Sequence, residues 1–387
     1  MSTYARLPVR FVRGDGVWLT DDAGERYLDA LAGIAVCGLG HAHPAVTKAV
    51  AEQAGRLIHT SNLYGIANQE RLAQKLVELS GMESVFFGNS GAEANEAAIK
   101  IARAYGHSLG IEAPKIAVSE GSFHGRTLAT LSGTGNSKVH AGFEPLVQGF
   151  VRFPYDDIEA VTEITASDPA VVAVLVEPIL GEGGVVVPGA DYLSRLRALC
   201  DRHDWLLMFD EIQTGMGRTG RWFAHQHADV VPDVMTLAKA LGNGVPIGAC
   251  LARGRAAESL GPGSHGSTFG GNPLACGAAL AVLDTMQSEG LVGQVREKGE
   301  RLKSRLVESL RGVNCVREIR GKGLMIGIEL DRPCTELVGR ALDKHLLINV
   351  TADRVVRLLP PLIIDDEEID SIVDTLRELI TEWNAGA

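Results

Sequence analysis

Short apolar runs punctuate the middle of the chain at residues 84–87, 115–119, 171–177, 205–210, 233–238 and 247–252. They are near-continuous rather than alternating, which predicts parallel strands buried on both faces. Between them the spacing turns helical. Residues 92–105 place Ala94, Ala98, Ile101 and Ala102 on one face, and residues 191–204 do the same with Leu193, Leu196, Leu199 and Cys200. Alternation of this kind predicts an α/β fold, a mostly parallel sheet with helices on both faces. Ligands of such sheets sit beyond the carboxyl ends of the strands.

The two ends of the chain read differently. Near the start, Val17–Leu19 and Arg26–Leu28 flank Asp22-Ala23-Gly24, the pattern of a short hairpin that must pack on something else, plausibly the C-terminal part. From about residue 274 a long helical stretch (274–288, then 291–310) leads to a glycine-punctuated strand at 320–330. A helix at 334–345, short strands near 347–350 and 355–359, and an amphipathic helix at 366–383 follow. This predicts a smaller α+β domain. The expected division is an N-terminal segment 1–50, a large domain 51–273 and a small domain 274–387.

Composition narrows the possible partners. The 387 residues carry a formal net charge of -11, spread along the chain. That argues against a nucleic-acid or anionic-membrane surface as the main partner. Cys37, Cys200, Cys250, Cys276, Cys315 and Cys334 form no CxxC pair and no zinc-spaced cluster, so no metal site is expected. Scattered thiols suit a reducing cytoplasm. The first residues lack a signal-peptide apolar core, and no apolar run is long enough to span a bilayer.

Chemistry concentrates at the predicted strand ends. Trp205-Leu206-Leu207-Met208-Phe209 runs into Asp210-Glu211-Ile212-Gln213, and the run 234–238 runs into a lone Lys239 before Gly242-Asn243-Gly244. A lysine and an acid there suit imine chemistry with an electron-sink cofactor, pyridoxal phosphate (PLP). Gly88-Asn89-Ser90-Gly91-Ala92-Glu93 joins a strand to a helix. It can be an N-cap with Ser90 and Glu93 forming a capping box, an anion cradle, or both. Phe123 and Arg126 lie in the loop 121–127; the aromatic could stack on a planar ring and the guanidinium could grip a carboxylate. Residues 264–273, with Ser267 and Thr268, could present hydroxyls to a ligand or simply connect domains. Arg357 is a charge inside a strand, and Glu182 sits in a glycine turn. Either could be solvated, or the two could pair or meet substrate charges.

Taken together these segments resemble the class III (fold type I) PLP-dependent aminotransferases, from about Tyr4 to the end of the chain. Further matching stretches are 29–36, Leu39-Gly40-His41-Ala42-His43-Pro44, Ser61-Asn62-Leu63-Tyr64, Glu177-Pro178 and 265–274. The resemblance implies that Lys239 bonds to the cofactor and shuttles protons. Asp210 would bind the pyridine nitrogen, Gln213 the ring-oxygen side and Phe123 the ring face, with Glu211 and Ile212 beside them. Ser90, Gly91 and Ala92 would hold the phosphate, although some members have Thr where Ala92 stands. Thr268 would reach the phosphate of a second subunit in a homodimer. Arg126 and Ser267 would bind substrate. Arg357 would grip a carboxylate of glutamate or 2-oxoglutarate, with Glu182 covering it when a distal amine arrives. The branch acting on N2-acetyl-L-ornithine in arginine biosynthesis is the most similar. Related branches use ornithine, succinylornithine, succinyl-diaminopimelate or 4-aminobutyrate, and the alternative from another class is a non-catalytic binding protein on the same fold.

Overall fold

A computed structural model describes residues 1–386 of the chain. The N-terminal part forms β1 (Phe11–Asp15), β2 (Trp18–Asp21) and β3 (Arg26–Asp29). The large sheet is built from β4 (Ser84–Gly88), β5 (Lys115–Ser119), β6 (Phe150–Phe153), β7 (Val171–Val176), β8 (Leu206–Asp210), β9 (Val234–Leu237) and β10 (Gly248–Ala252). The C-terminal part adds β11 (Val316–Lys322), β12 (Met325–Leu330), β13 (Leu346–Leu347), β14 (Asn349–Thr351) and β15 (Val355–Leu358).

The large sheet runs β4-β10-β9-β8-β7-β5-β6, so β8 is its middle strand. Its helices pack on both faces. Helix Gly91–Ser108 covers one side through Ala98, Ile101, Ala102 and Tyr105, which meet Ile116, Leu175 and Met208. Helices Ile158–Ser167 and Tyr192–His203 cover the other, where Val161, Leu196 and Leu199 meet Val174, Leu207 and Phe209. Strands β7 and β8 are buried at every position. That is why their sequences show no alternation.

Two expectations need correction here. The run 247–252 is a buried strand, but it is antiparallel to both β4 and β9. A parallel return needs a crossover of about a dozen residues or more, and the link between β9 and β10 is too short and too tightly turned to supply one. The sequence pattern also missed β6, a short edge strand parallel to β5.

At the C-terminal end, the single strand expected over 320–330 is a hairpin of β11 and β12, turning at Gly323 in the left-handed region. The small sheet runs β11-β12-β15-β14. Strand β13 instead joins β3 of the N-terminal hairpin in parallel register, Leu346 with Leu28. Residue 50 lies inside helix Pro44–Ala54, which packs against helix Pro273–Ser288. One continuous core links Val17, Leu72, Leu237, Leu283 and Leu376. Helix Asp366–Ala385 is closed at its start by a reciprocal Asp365–Glu368 capping box.

Candidate active site

A cavity of about 400 Å³ opens at the carboxyl ends of β4, β5, β7, β8 and β9. Because β10 is antiparallel, its amino-terminal lead-in, Val245-Pro246-Ile247, completes the same wall. Ser90, Gly91, Ala92, Phe123, Arg126, Glu182, Asp210, Ile212, Gln213 and Lys239 all line it. They come from five segments, those at or after the ends of β4, β5, β7, β8 and β9, and the sheet brings them together.

Asp210 terminates the buried β8 and is itself buried. Its Oδ2 accepts from Asn95 Nδ2 at 2.7 Å and lies 2.8 Å from His124 Nδ1; its Oδ1 accepts from Ile212 N at 3.1 Å. Asn95 is fixed in turn, donating to His124 O at 2.8 Å and accepting from Thr236 Oγ1 at 2.8 Å. His124 Nε2 is buried without a protein partner. His124 therefore presents its Nδ1–H to the Asp210 carboxylate. Asp210 thus faces three donors, from Asn95, His124 and Ile212.

Lys239 follows β9 in a left-handed backbone conformation, φ 48°. This costs a non-glycine residue roughly 1 kcal/mol and persists where the surroundings impose it. Burial, reinforced by the Arg357 charge, pushes its ammonium below the ordinary lysine value, opposed by Glu182, Asp210 and Glu177. A neutral amine is therefore easier to reach than on a surface lysine.

Helix Gly91–Ser108 points its amino terminus into the cavity. Ser90 is its N-cap, accepting from Glu93 N at 3.2 Å. The Glu93 carboxylate bonds Asn89 N at 2.6 Å rather than Ser90 N, so the expected box is shifted by one residue. The first-turn amides of Gly91 and Ala92 have no intrahelical carbonyl to bond and remain free for an anion. Gly91 is required at this point, because a Cβ there would sit 2.7 Å from Ile212 Cδ1.

Arg357, on β15, is fully buried. Its Nη1 meets Glu182 Oε1 at 2.8 Å and Gln213 Oε1 at 3.1 Å, its Nε donates to Asn349 Oδ1 at 3.1 Å, and its Nη2 has no protein partner. Glu182 keeps 32% of its side chain exposed, so the pair is open on one side. Arg126 is exposed, its guanidinium 5.5 Å from the Phe123 ring centre.

Four expected residues do not line the cavity: Glu211, Ser267, Arg357, which meets it only through Glu182 and Gln213, and Thr268, which is expected at the site of a second subunit. Glu211 points away from the cavity: strand alternation turns it to the opposite face from Asp210. There its carboxylate binds Thr214 Oγ1, Ala224 N and His225 N. Ser267 Oγ is engaged with Asn89 Nδ2 and Gly270 N, and Thr268 is exposed. Neither lines the cavity of its own chain. Conversely, His124, Asn95, Glu177 and Asn349 were not singled out as site residues. Asn95 left a signal, a polar residue beside the alanine face of its helix; His124 left none apart from its neighbour Phe123.

Comparison with known proteins places the chain in a family. The family model for class-III aminotransferases matches residues 2–380. The chain is 59% identical over 381 residues to the acetylornithine aminotransferase of Nitrosomonas europaea, covering 98% of this chain and 97% of the relative. It is 51% identical to the acetylornithine aminotransferase of Aquifex aeolicus over 98% of this chain and 99% of that one. Among solved structures, ornithine aminotransferase from Toxoplasma gondii superposes with a TM-score of 0.96 at 36% identity, covering 100% of this chain and 93% of that one. Acetylornithine aminotransferase from Elizabethkingia anophelis superposes at 0.88 and 36%, covering 99% and 96%. The architecture is that of the fold type I PLP-dependent transferases. Within that class, the chain belongs to the class-III aminotransferases.

Proposed function

We propose that the protein transfers the distal amino group of N2-acetyl-L-ornithine to 2-oxoglutarate, giving N-acetyl-L-glutamate 5-semialdehyde and L-glutamate, a step of arginine biosynthesis. The observation that carries this is that Glu182, which lines the cavity together with Lys239 and Asp210, is paired with the buried Arg357 behind it, in a chain 59% identical to an acetylornithine aminotransferase.

The residues present fit PLP. A buried carboxylate fixed by two donors at Oδ2 suits a protonated ring nitrogen, free helix amides suit a phosphate, and a desolvated lysine suits a carbonyl. Asp210 would hold the ring nitrogen, Phe123 and Ile212 the ring faces, Gln213 the ring-oxygen side, and Ser90, Gly91 and Ala92 the phosphate. When bound, PLP supplies an electrophilic carbonyl for amine exchange and a sink for the electrons released at the donor carbon. Lys239 Nζ would take up the proton released from the donor carbon in one half-reaction and, in the other, would deliver a proton to the acceptor carbon that becomes the Cα of glutamate. In the donor half-reaction Glu182 covers Arg357; in the acceptor half-reaction a carboxylate of 2-oxoglutarate replaces Glu182. Arg126 and Ser267 meet the remaining substrate groups.

The acyl preference has support in the lining. Its carboxylates, Glu177, Glu182 and Asp210, are all engaged with protein donors. No spare acid awaits a free α-ammonium, which acylation removes. Thr268, exposed and outside its own cavity, would complete the site of a second copy in a cytoplasmic homodimer; no described helix is long and apolar enough to cross a membrane.

The test is a panel of amines given to the PLP-loaded enzyme without any oxo-acid, followed by cofactor absorbance. N2-acetylornithine should convert the spectrum fastest. Equal conversion by free ornithine or 4-aminobutyrate would overturn the assigned donor.

A further inference from the structure

Glu177 has no role in the proposed reaction, yet its carboxylate is buried in the cavity wall between the two halves of the site. Oε1 accepts from Phe123 N at 2.8 Å, and Oε2 accepts from Gly181 N at 2.9 Å. The first bond holds the loop that presents Phe123. The second holds the start of the turn that carries Glu182. Gly181 also abuts Gln213 so closely that a Cβ on it would overlap the Gln213 amide. Gln213 in turn accepts from Arg357, the partner of Glu182. A continuous chain of contacts therefore runs from Phe123 through Glu177, Gly181 and Gln213 to the Arg357–Glu182 pair.

We propose that Glu177 is a positioning residue that ties the Arg357–Glu182 clamp to the Phe123 wall and thereby sets how tightly the enzyme holds a dicarboxylate relative to a distal amine. The proposal rests on the clamp reading of Arg357 given above. A carboxylate is required because both partners are N–H donors. Glutamine offers one oxygen and turns an NH2 donor toward the second N–H, so one of the two loops is released. Burial, then the nearby Asp210 charge, push the Glu177 acid above the ordinary range, while His124 and the two backbone donors oppose this. Lys239 and Tyr155 also feel its charge. Keeping an acid in so unfavourable a place is explained by the two loops it joins.

The experiment compares wild type with Glu177→Gln, each loaded with PLP. Calorimetry measures equilibrium binding of glutarate, a dicarboxylate with no carbonyl to aminate. Cofactor absorbance measures the amine half-reaction. Glutarate affinity should fall about tenfold, the scale of one hydrogen bond to a charged group, while the amine half-reaction changes less than about threefold. In an Arg357→Ala background Glu177→Gln should weaken glutarate no further. Glu177→Asp, which keeps the charge but is one methylene too short to hold both N–H groups, should reproduce the selective loss; it decides the matter if Glu177→Gln does not fold. Equal losses in both measurements, or additive losses with Arg357→Ala, overturn the proposal. If Arg357→Ala alone leaves glutarate binding intact, the clamp reading itself fails.

Discussion

The two sides of the cavity are built on opposite terms. On the sheet side, Asp210 is hemmed in by Asn95, His124 and the Ile212 amide, and Asn95 is itself held by Thr236. On the small-domain side, Arg357 has a partly exposed partner in Glu182 and an Nη2 without one. A carboxylate whose donors are all in place can neither move nor change charge cheaply. A buried guanidinium with a spare donor and a solvent-accessible partner can exchange that partner for another carboxylate. The sheet side suits a charge that must stay constant through both half-reactions; the clamp suits a group that must meet two different substrates.

Variants can break this contrast, beginning with the most severe. Lys239→Ala should still bind PLP without the covalent bond and lose turnover by roughly 10³-fold or more, the upper range for one acid–base group. Near-normal turnover, with the absorbance change still present, would remove Lys239 from the chemistry. Asp210→Ala should keep the lysine linkage but slow both half-reactions together, by roughly 10²- to 10³-fold, the scale of one electrostatic stabiliser. A loss confined to one half-reaction would mean that the sheet side is not constant. It should also strand the donors of Asn95 and His124, costing about 1–3 kcal/mol in thermal or denaturant unfolding.

Arg357→Ala sharpens the other side. The 2-oxoglutarate half-reaction should weaken roughly 10- to 100-fold, as for the loss of charge-assisted hydrogen bonds, and the distal-amine half-reaction much less. Single-turnover absorbance separates the two, and equal losses would sink the clamp. Glu182→Gln should act in the opposite sense and more gently, slowing the amine step and strengthening 2-oxoglutarate binding by roughly two- to fivefold, the scale of a partly exposed ion pair.

The smallest effect lies outside both regions and serves as a control. His41 Nε2 meets Asp29 Oδ2 at 2.8 Å; burial opposes its protonation, but hydrogen bonds to Asp29 and Cys37 prevail and raise it to about 9. A raised histidine contributes stability that is complete below its unfolded value near 6.5 and is lost as pH rises through about 9. His41→Ala should therefore flatten the fall of melting temperature over that window. An unchanged slope would show that the pair does not contribute.

The parts of this protein differed in how far they could be read from residues. The buried strands, Asp210, Lys239 and the helix amino terminus after Gly88 were legible because local patterning forces them: apolar runs must be buried, and a charge at the end of such a run must face something. The antiparallel course of β10 was not legible from its apolar run. Burial looks alike in both directions, and only the short link from β9 excludes a crossover. The direction of the Glu211 carboxylate is not legible for a related reason. Its neighbour Asp210 shares its sequence context, and only strand alternation together with the fold of residues 223–225 sends it to the opposite side.

The sequence by itself determined the α/β class, through short-range periodicity, and the family, through the resemblance of its motifs, and it marked Lys239 and Asp210 as charges at the ends of buried runs. Only the tertiary structure decided which polar groups meet. Asn95 and His124 converge on Asp210 from different elements, and Glu182 and Arg357 meet although distant in the chain. The reason is physical: a hydrogen bond needs atoms within about 3 Å, and positions far apart in sequence acquire such distances only when the strands between them have packed.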